Sequence, residues 1–423
     1  MRKISKLSGF YKLSPEKRLK IVRELAGLSK EEAELLRKTG ALELKQANRM
    51  IENVIGTTEL PLGIATNFLI NNRDYLIPMA IEEPSVVAAA SNAAKMVRPG
   101  GGFFTESTSP IMVGQIQLVD VKNPIKAREK ILKAKERILA KANEQDPILV
   151  KLGGGAKDIE VRVLTTHLGP MTIIHLLIDV RDAMGANVIN TMCEAVAPLI
   201  EELTGGRVFL RIVSNLATYR LARAKAVFTK EALGGEEVVD GILQAYAFAA
   251  ADPYRCATHN KGVMNGIIAV ALATANDTRA IEAGAHAYAA MGGAYKPLTQ
   301  WERTVGGDLS GRIELPVAVG TIGGATATHP VAKICRKILG VQSARELGEV
   351  MAVVGLAQNL AAMRALATVG IQAGHMRLHA RNIAAMAGAK GELIDKVAAR
   401  LVDGRKIRVD RAKEILEELT GKK

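Results

Sequence analysis

Four polar segments of this chain carry side chains suited to chemistry on a carbonyl group. Thr258-His259-Asn260-Lys261-Gly262-Val263-Met264-Asn265-Gly266 places one lysine in a Gly-flanked stretch beside an apolar run. A lysine at such a border can be partly stripped of water and used as a fixed positive charge, which is what a developing oxyanion needs. Glu82-Glu83-Pro84-Ser85 sets a carboxyl before a proline, so Glu83 is biased to extended backbone at a helix start. Near Lys261, that carboxyl could act as a general acid if its pKa were raised. In Ala275-Asn276-Asp277, Asp277 reads locally as the N-cap of the helix that Thr278 opens. Gly374-His375-Met376 adds an imidazole, the side chain that titrates nearest neutrality. His375 and His379 could share a helix face, but the H-E-x-x-H form and a third ligand are missing, so no metal is expected.

No G-x-G-x-x-G and no G-x-x-x-x-G-K-[ST] occurs, which removes the usual dinucleotide fingerprint and the P-loop. A chain that uses a dinucleotide must hold it otherwise. Asp182-Ala183-Met184-Gly185-Ala186-Asn187 follows an expected strand and opens an expected helix. Backbone N–H groups and the helix dipole can receive a pyrophosphate there, and Gly185 permits close approach. The plainer alternative is an N-cap at Asp182 followed by a packing glycine.

The elements that must position these residues are partly readable. Ser14-Pro15 forms a helix start, and Ser29-Lys30-Glu31-Glu32 fits a capping box. Residues 111–121 read as strand, 124–142 as helix, 158–164 and 171–180 as two strands, 186–203 as helix and 208–213 as strand. That β-α-β-β-α-β order is the pattern of a ferredoxin-like unit. Helical sequence is expected on both sides of it, so the unit reads as an insertion in a larger, mostly helical part. Residues 262–275 and 278–291 read as helices, 315–322 as strand into loop, and 344–368 as a long central helix. The fold class is therefore α+β: a discontinuous large domain (residues 1–109 and 216–374), an inserted small domain (110–215) and a C-terminal helical flap (375–423).

Composition supports this and excludes other classes. A chain of 423 residues, 48% apolar, can bury a large core, and with only 4% aromatics that core must be aliphatic. The net charge of +14 raises nucleic-acid binding as an alternative, but no basic run is interleaved with aromatics and no zinc-finger spacing occurs. Cys193, Cys256 and Cys335 are odd in number and far apart, which suits a reducing cytoplasm rather than a disulfide framework. No signal core is seen at the N-terminus. The apolar stretch 351–371 carries Gln358, Asn359 and Arg364, and reads as a buried helix rather than a membrane span.

Taken in order, Glu52-Asn53-Val54-Ile55-Gly56, Glu83-Pro84-Ser85, Asp182-Ala183-Met184-Gly185-Ala186-Asn187, His259-Asn260-Lys261-Gly262, Asn276-Asp277 and Gly374-His375-Met376 resemble the soluble class II 3-hydroxy-3-methylglutaryl-coenzyme A (HMG-CoA) reductases. The resemblance implies interconversion of HMG-CoA with mevalonate plus coenzyme A by two hydride transfers. It implies Lys261, Glu83, Asp277 and His375 as the catalytic set, with Asp277 paired to Lys261 and His375 protonating the departing thiolate. It makes Ser85, Arg255, His259 and Asn265 substrate-pocket positions, with Arg255 clamping the free carboxylate. Asp182, Met184, Gly185, Asn187 and Asn215 become dinucleotide contacts. Asp146 aligns with an acidic position facing the adenosine ribose, which favours NAD(H) over NADP(H). A homodimer building towards a hexamer, a soluble cytoplasmic location and the absence of any membrane or nucleic-acid partner follow from the same likeness. Another CoA-thioester oxidoreductase on this scaffold is the alternative.

Overall fold

The computed structural model describes residues 4–368 and 370–421, and the side chains of 371–378 lie outside that description. Ten strands, β1 (Leu62–Ile70), β2 (Arg73–Ala80), β3 (Phe103–Ser107), β4 (Ile111–Val119), β5 (Gly155–Thr166), β6 (Gly169–Asp179), β7 (Arg207–Ser214), β8 (Leu221–Phe228), β9 (Thr299–Arg303) and β10 (Leu309–Pro316), form two sheets among the described residues.

The larger sheet has six strands in the order β2-β1-β3-β8-β10-β9. Its first hairpin turns at Asn71 and Asn72, both at positive φ (48° and 62°), a conformation asparagine tolerates better than most residues. In β8, Ala222, Ala224, Ala226 and Phe228 face inward while Arg223 and Lys225 face out, the alternation of a sheet with one buried side. Over that buried side runs the helix Ala344–Ala367, with fifteen buried residues. Among the described residues it is the helix long and apolar enough to cross a membrane, yet it is wrapped by β8, β10 and the helices Pro253–Ala273, Val86–Val97 and Glu236–Ala251. Apolar residues all around a helix mean burial on every side. Two glycines let it touch the helix Pro253–Ala273 closely. A Cβ on Gly266 would stand 2.9 Å from the Val354 carbonyl oxygen, and one on Gly355 would stand 2.9 Å from Ile267 Cδ1.

The smaller sheet runs β5-β6-β4-β7, fully antiparallel, with helices between β4 and β5 and between β6 and β7. This is the ferredoxin-like order read from the sequence. It has its own apolar core, including Met112, Ile116, Ile131, Ile174, Ile189 and Val196. The helix expected over 124–142 is two helices, Pro124–Lys133 and Lys135–Asn143, broken at Ala134.

The flanks of this unit differ from expectation. They are strands, not helices: β3 enters it and β8 leaves it, and those two pair directly, with Phe103 opposite Ala226 and Ser107 opposite Ala222. The inserted segment thus leaves and rejoins the larger sheet at adjacent strands. The C-terminal helices Ile371–Met386, Glu392–Asp403 and Val409–Thr420 share a third core built on Ala380, Ala384, Val397, Leu401 and Ile415.

Candidate active site

The segment holding Lys261 is helical throughout, because the helix expected from residue 262 starts at Pro253. It lies inside the helix Pro253–Ala273, started by the Asp252 carboxylate accepting from the Arg255 N–H at 2.6 Å, with Pro253 at the first position. Helical spacing then splits consecutive residues between faces. His259 and Asn260 are buried, whereas the Lys261 side chain is 61% exposed.

The two buried residues pin the helix. Asn260 Oδ1 accepts from the Leu298 N–H at 2.9 Å, and its Nδ2 donates to the Lys296 carbonyl at 2.9 Å, clamping the segment that enters β9. His259 Nε2 lies 2.7 Å from Thr299 Oγ1, which donates to Asn359 Oδ1 at 2.9 Å on the central helix. Since that hydroxyl proton is committed, Nε2 carries the ring proton and Nδ1 is bare. Nδ1 is indeed buried without a partner. This overturns the expectation that His259 lines a substrate pocket. It is 1% exposed and its neighbours are Thr299 and the Tyr246 ring.

Burial, with the Arg255 charge second, pushes the His259 pKa down to about 4 from 6.5. The folded form therefore refuses a proton that the unfolded chain accepts below pH 6.5. The His259 share of stability should be level above that pH and fall by at most about 3 kcal/mol as pH drops towards 4, a slope that urea midpoints would measure and His259→Leu should reduce, while His175 and His329, whose pKa values burial also lowers, keep part of it.

Glu83 comes from the turn between β2 and the helix Val86–Val97. The Lys261 Nζ donates to Glu83 Oε2 at 2.7 Å, and Asn265 Nδ2, one helical turn on, approaches the same oxygen at 3.4 Å. Ser85, two residues on in the turn, has φ 76°, a left-handed conformation that costs a non-glycine residue on the order of 1 kcal/mol and that gathers at functional sites. Arg255 is half-buried on the lysine helix, and burial lowers its pKa. Among the described residues its guanidinium has no hydrogen bond or ion pair, so an anion brought to it would meet a cation already part-desolvated.

Asp277 is the clearest correction. No hydrogen bond or ion pair joins it to Lys261 among the described residues. Its Oδ1 instead accepts from the N–H groups of Arg279 (3.0 Å) and Ala280 (3.1 Å) and lies 3.1 Å from the Arg279 guanidinium. The free N–H groups opening the helix Thr278–Ala290 claim that carboxylate locally. The adjoining Asn276 accepts from the Gly320 N–H at 2.8 Å. His375 lies on the helix Ile371–Met386, and its side chain is outside the described residues.

The segment 182–187 joins β6 to the helix Ala186–Thr204. Asp182 does not cap that helix. Its Oδ1 accepts from the Ala344 N–H at 2.7 Å, at the start of the central helix. The helix Ala186–Thr204 follows Gly185 at φ 101° and has no side-chain cap. A Cβ on Gly185 would stand 2.5 Å from Val180 Cγ1, so only glycine fits. An uncapped helix start beside a glycine is a cradle that suits a pyrophosphate. Met184 is half-buried there and Asn187 is exposed. Asn215 is also exposed, and its carbonyl lies against Gly284, where a Cβ would approach it to 2.6 Å. Asp146 caps the short helix Pro147–Lys151, accepting from the Leu149 N–H at 2.8 Å through one carboxylate oxygen.

Sequence reading missed Arg220, which is 5% exposed and joins the 182–187 segment to the loop after β10. Nothing in the pattern around it marks a buried cation.

The family model for hydroxymethylglutaryl-coenzyme A reductase matches residues 14–380. The 3-hydroxy-3-methylglutaryl-coenzyme A reductase of Archaeoglobus fulgidus is 65% identical over 98% of this chain and 95% of its own length. The probable 3-hydroxy-3-methylglutaryl-coenzyme A reductase of Borreliella burgdorferi is 36% identical over 82% of this chain and 80% of its own. Among solved structures, the class II 3-hydroxy-3-methylglutaryl-CoA reductase of Streptococcus pneumoniae, described as bound to NADPH in open conformations, superposes with a TM-score of 0.82 at 40% identity, covering 96% of this chain and all of that one.

Proposed function

The chain belongs to the hydroxymethylglutaryl-coenzyme A reductase family, and from that premise we propose that Lys261 and Glu83 are the pair with which it reduces HMG-CoA to mevalonate and free coenzyme A. The observation that carries this is the 2.7 Å contact between Lys261 Nζ and Glu83 Oε2 on an accessible helix face.

The overall reaction consumes two reduced nicotinamide dinucleotides per HMG-CoA, which supply two hydrides. The Lys261 ammonium takes the thioester oxygen and stabilises the negative charge as the carbonyl carbon becomes tetrahedral. The carbon–sulfur bond then breaks, and the resemblance gives His375 the task of protonating the thiolate so that it cannot return to the aldehyde. In the second reduction the same ammonium holds the aldehyde oxygen and Glu83 delivers the proton that makes the alcohol. Asn265 keeps Glu83 Oε2 in place. Arg255 is proposed to receive the substrate's free carboxylate, a charge its unpaired guanidinium can meet through two parallel hydrogen bonds. Residues 182–187 and Asn215 are proposed to hold the dinucleotide. The domain limits read from the sequence, 110–215 for the dinucleotide and 1–109 with 216–374 for the substrate, belong to this proposal, as does a flap over 375–423.

For the dinucleotide, Asp146 keeps one carboxylate oxygen for its helix and has the other for a ribose 2′-hydroxyl, while a 2′-phosphate would be repelled. NADH should therefore give the higher kcat/KM, and Asp146→Asn, which still caps the helix, should narrow the gap to NADPH. A homodimer is part of the same reading. Ile55 is fully exposed and Ile51 and Leu60 are exposed to a lesser degree, an apolar strip that a second copy would cover.

The direct test follows absorbance of NADH and NADPH separately with HMG-CoA, and titrates free thiol. Two dinucleotides oxidised and one thiol released per HMG-CoA is the expected result. Oxidation without thiol release, or none at all, would overturn the reading.

A further inference from the structure

Arg220 sits just before β8, where the chain returns from the smaller sheet to the larger. Its Nη1 donates to the carbonyls of Ala183 (3.0 Å) and Met184 (3.4 Å), and its Nη2 donates to the Val319 carbonyl at 2.5 Å. Its own carbonyl accepts from the Val317 N–H at 3.1 Å. Burial pushes its pKa down to about 10, against the pull of Asp182 and Asp179. A planar, always-charged fork is suited to holding several carbonyls at once, which an ammonium cannot do as well.

The loop it grips reaches both ways. The Thr321 N–H donates to the Asp182 carbonyl at 2.9 Å. The Gly320 N–H donates to Asn276 Oδ1 at 2.8 Å, and Thr326 Oγ1 donates to the Ala275 carbonyl at 3.2 Å. Gly320 has no room for a side chain, since a Cβ there would stand 2.8 Å from the Met184 nitrogen. A continuous set of contacts thus runs from residues 182–184 through 319–321 to the turn carrying Asn276 and Asp277.

We propose that Arg220 is a positioning residue: it locks the dinucleotide loop to the turn at Asn276 through Val319 and Gly320, and so fixes where the dinucleotide binds relative to the substrate site. This rests on the reading of residues 182–187 as the dinucleotide loop. It also gives the 323–326 loop a role, as the outer end of the same brace.

The test compares Arg220→Lys, Gly320→Ala and Asn187→Ala in the full-length protein. NADH affinity is read by fluorescence titration without HMG-CoA, amide hydrogen exchange of residues 183–188 is followed without any ligand, and the KM for HMG-CoA is measured alongside. Arg220→Lys and Gly320→Ala should each weaken NADH binding on the order of tenfold and speed exchange in that loop, while the KM for HMG-CoA stays near wild type. Should Arg220→Lys fail to fold, Gly320→Ala carries the test. Wild-type NADH affinity and exchange in the folded Gly320→Ala and Arg220→Lys variants, with Asn187→Ala impaired, would overturn the positioning role alone. Unchanged affinity in Asn187→Ala as well would remove the dinucleotide-loop reading and the proposal with it.

Discussion

Replacing Lys261 by Ala is expected to lower kcat for HMG-CoA reduction by about a hundred- to a thousandfold, the loss seen when a single group that stabilises an oxyanion is removed. The fold should survive. The side chain is 61% exposed and its one described partner is Glu83, so stability should change by about 0.5 kcal/mol or less. The buried anchors of the helix, His259 and Asn260, are untouched. Affinity for NADH should also persist, because residues 182–187 have no hydrogen bond to Lys261 among the described residues. Lys261→Arg keeps the charge but replaces a compact ammonium by a broad planar group, so it should recover only part of the rate. Steady-state kinetics with thermal melts separates these outcomes. Near-wild-type turnover in a folded Lys261→Ala protein would remove the charge from the mechanism.

Glu83→Gln is the second large effect. The amide has the shape of the carboxyl and can still meet Lys261 and Asn265, but it has no proton to give. Removing a general acid costs typically 10²- to 10⁴-fold, so turnover should fall by about that much with little change in the KM for HMG-CoA. The proposal is sharper than a general loss. Glu83 delivers the proton in the second reduction, so reduction of free mevaldehyde, which skips the thioester step, should suffer as much as the full reaction. Mevaldehyde reduced at wild-type rate by Glu83→Gln would place the acid elsewhere.

How far the sequence revealed this structure depends on where each residue's partners lie. The smaller sheet was legible because its strands are short apolar runs and its helices end at turn residues such as Gly205. Ser14 and Ser29 were legible because capping is local. The larger sheet was not. β8 is rich in alanine, a poor strand former by itself, and is strand only because β3 and β10 flank it and the central helix covers it. The helix expected from residue 262 starts at Pro253, and its Gly266 serves close packing of two helices, a long-range cause with no local mark. Glu83 lies against Lys261, a contact between segments far apart in sequence that only the fold creates. The supposed partnership of Asp277 with Lys261 is not formed among the described residues, because helix-end N–H groups lie nearer to that carboxylate. His259 was misplaced for a related reason: a histidine satisfied by Thr299 inside a core has the same sequence appearance as one lining a pocket.

The central claim is that Lys261 and Glu83 act as one unit on the substrate oxygen. A double-mutant cycle on kcat/KM for HMG-CoA, using Lys261→Met, Glu83→Gln and the double variant with folding checked for each, tests it most directly. Groups that act as a unit are strongly non-additive, so the double variant should be no more than about threefold slower than the slower single variant. Losses that simply multiply, each substitution costing the same whether or not the other is present, would contradict it.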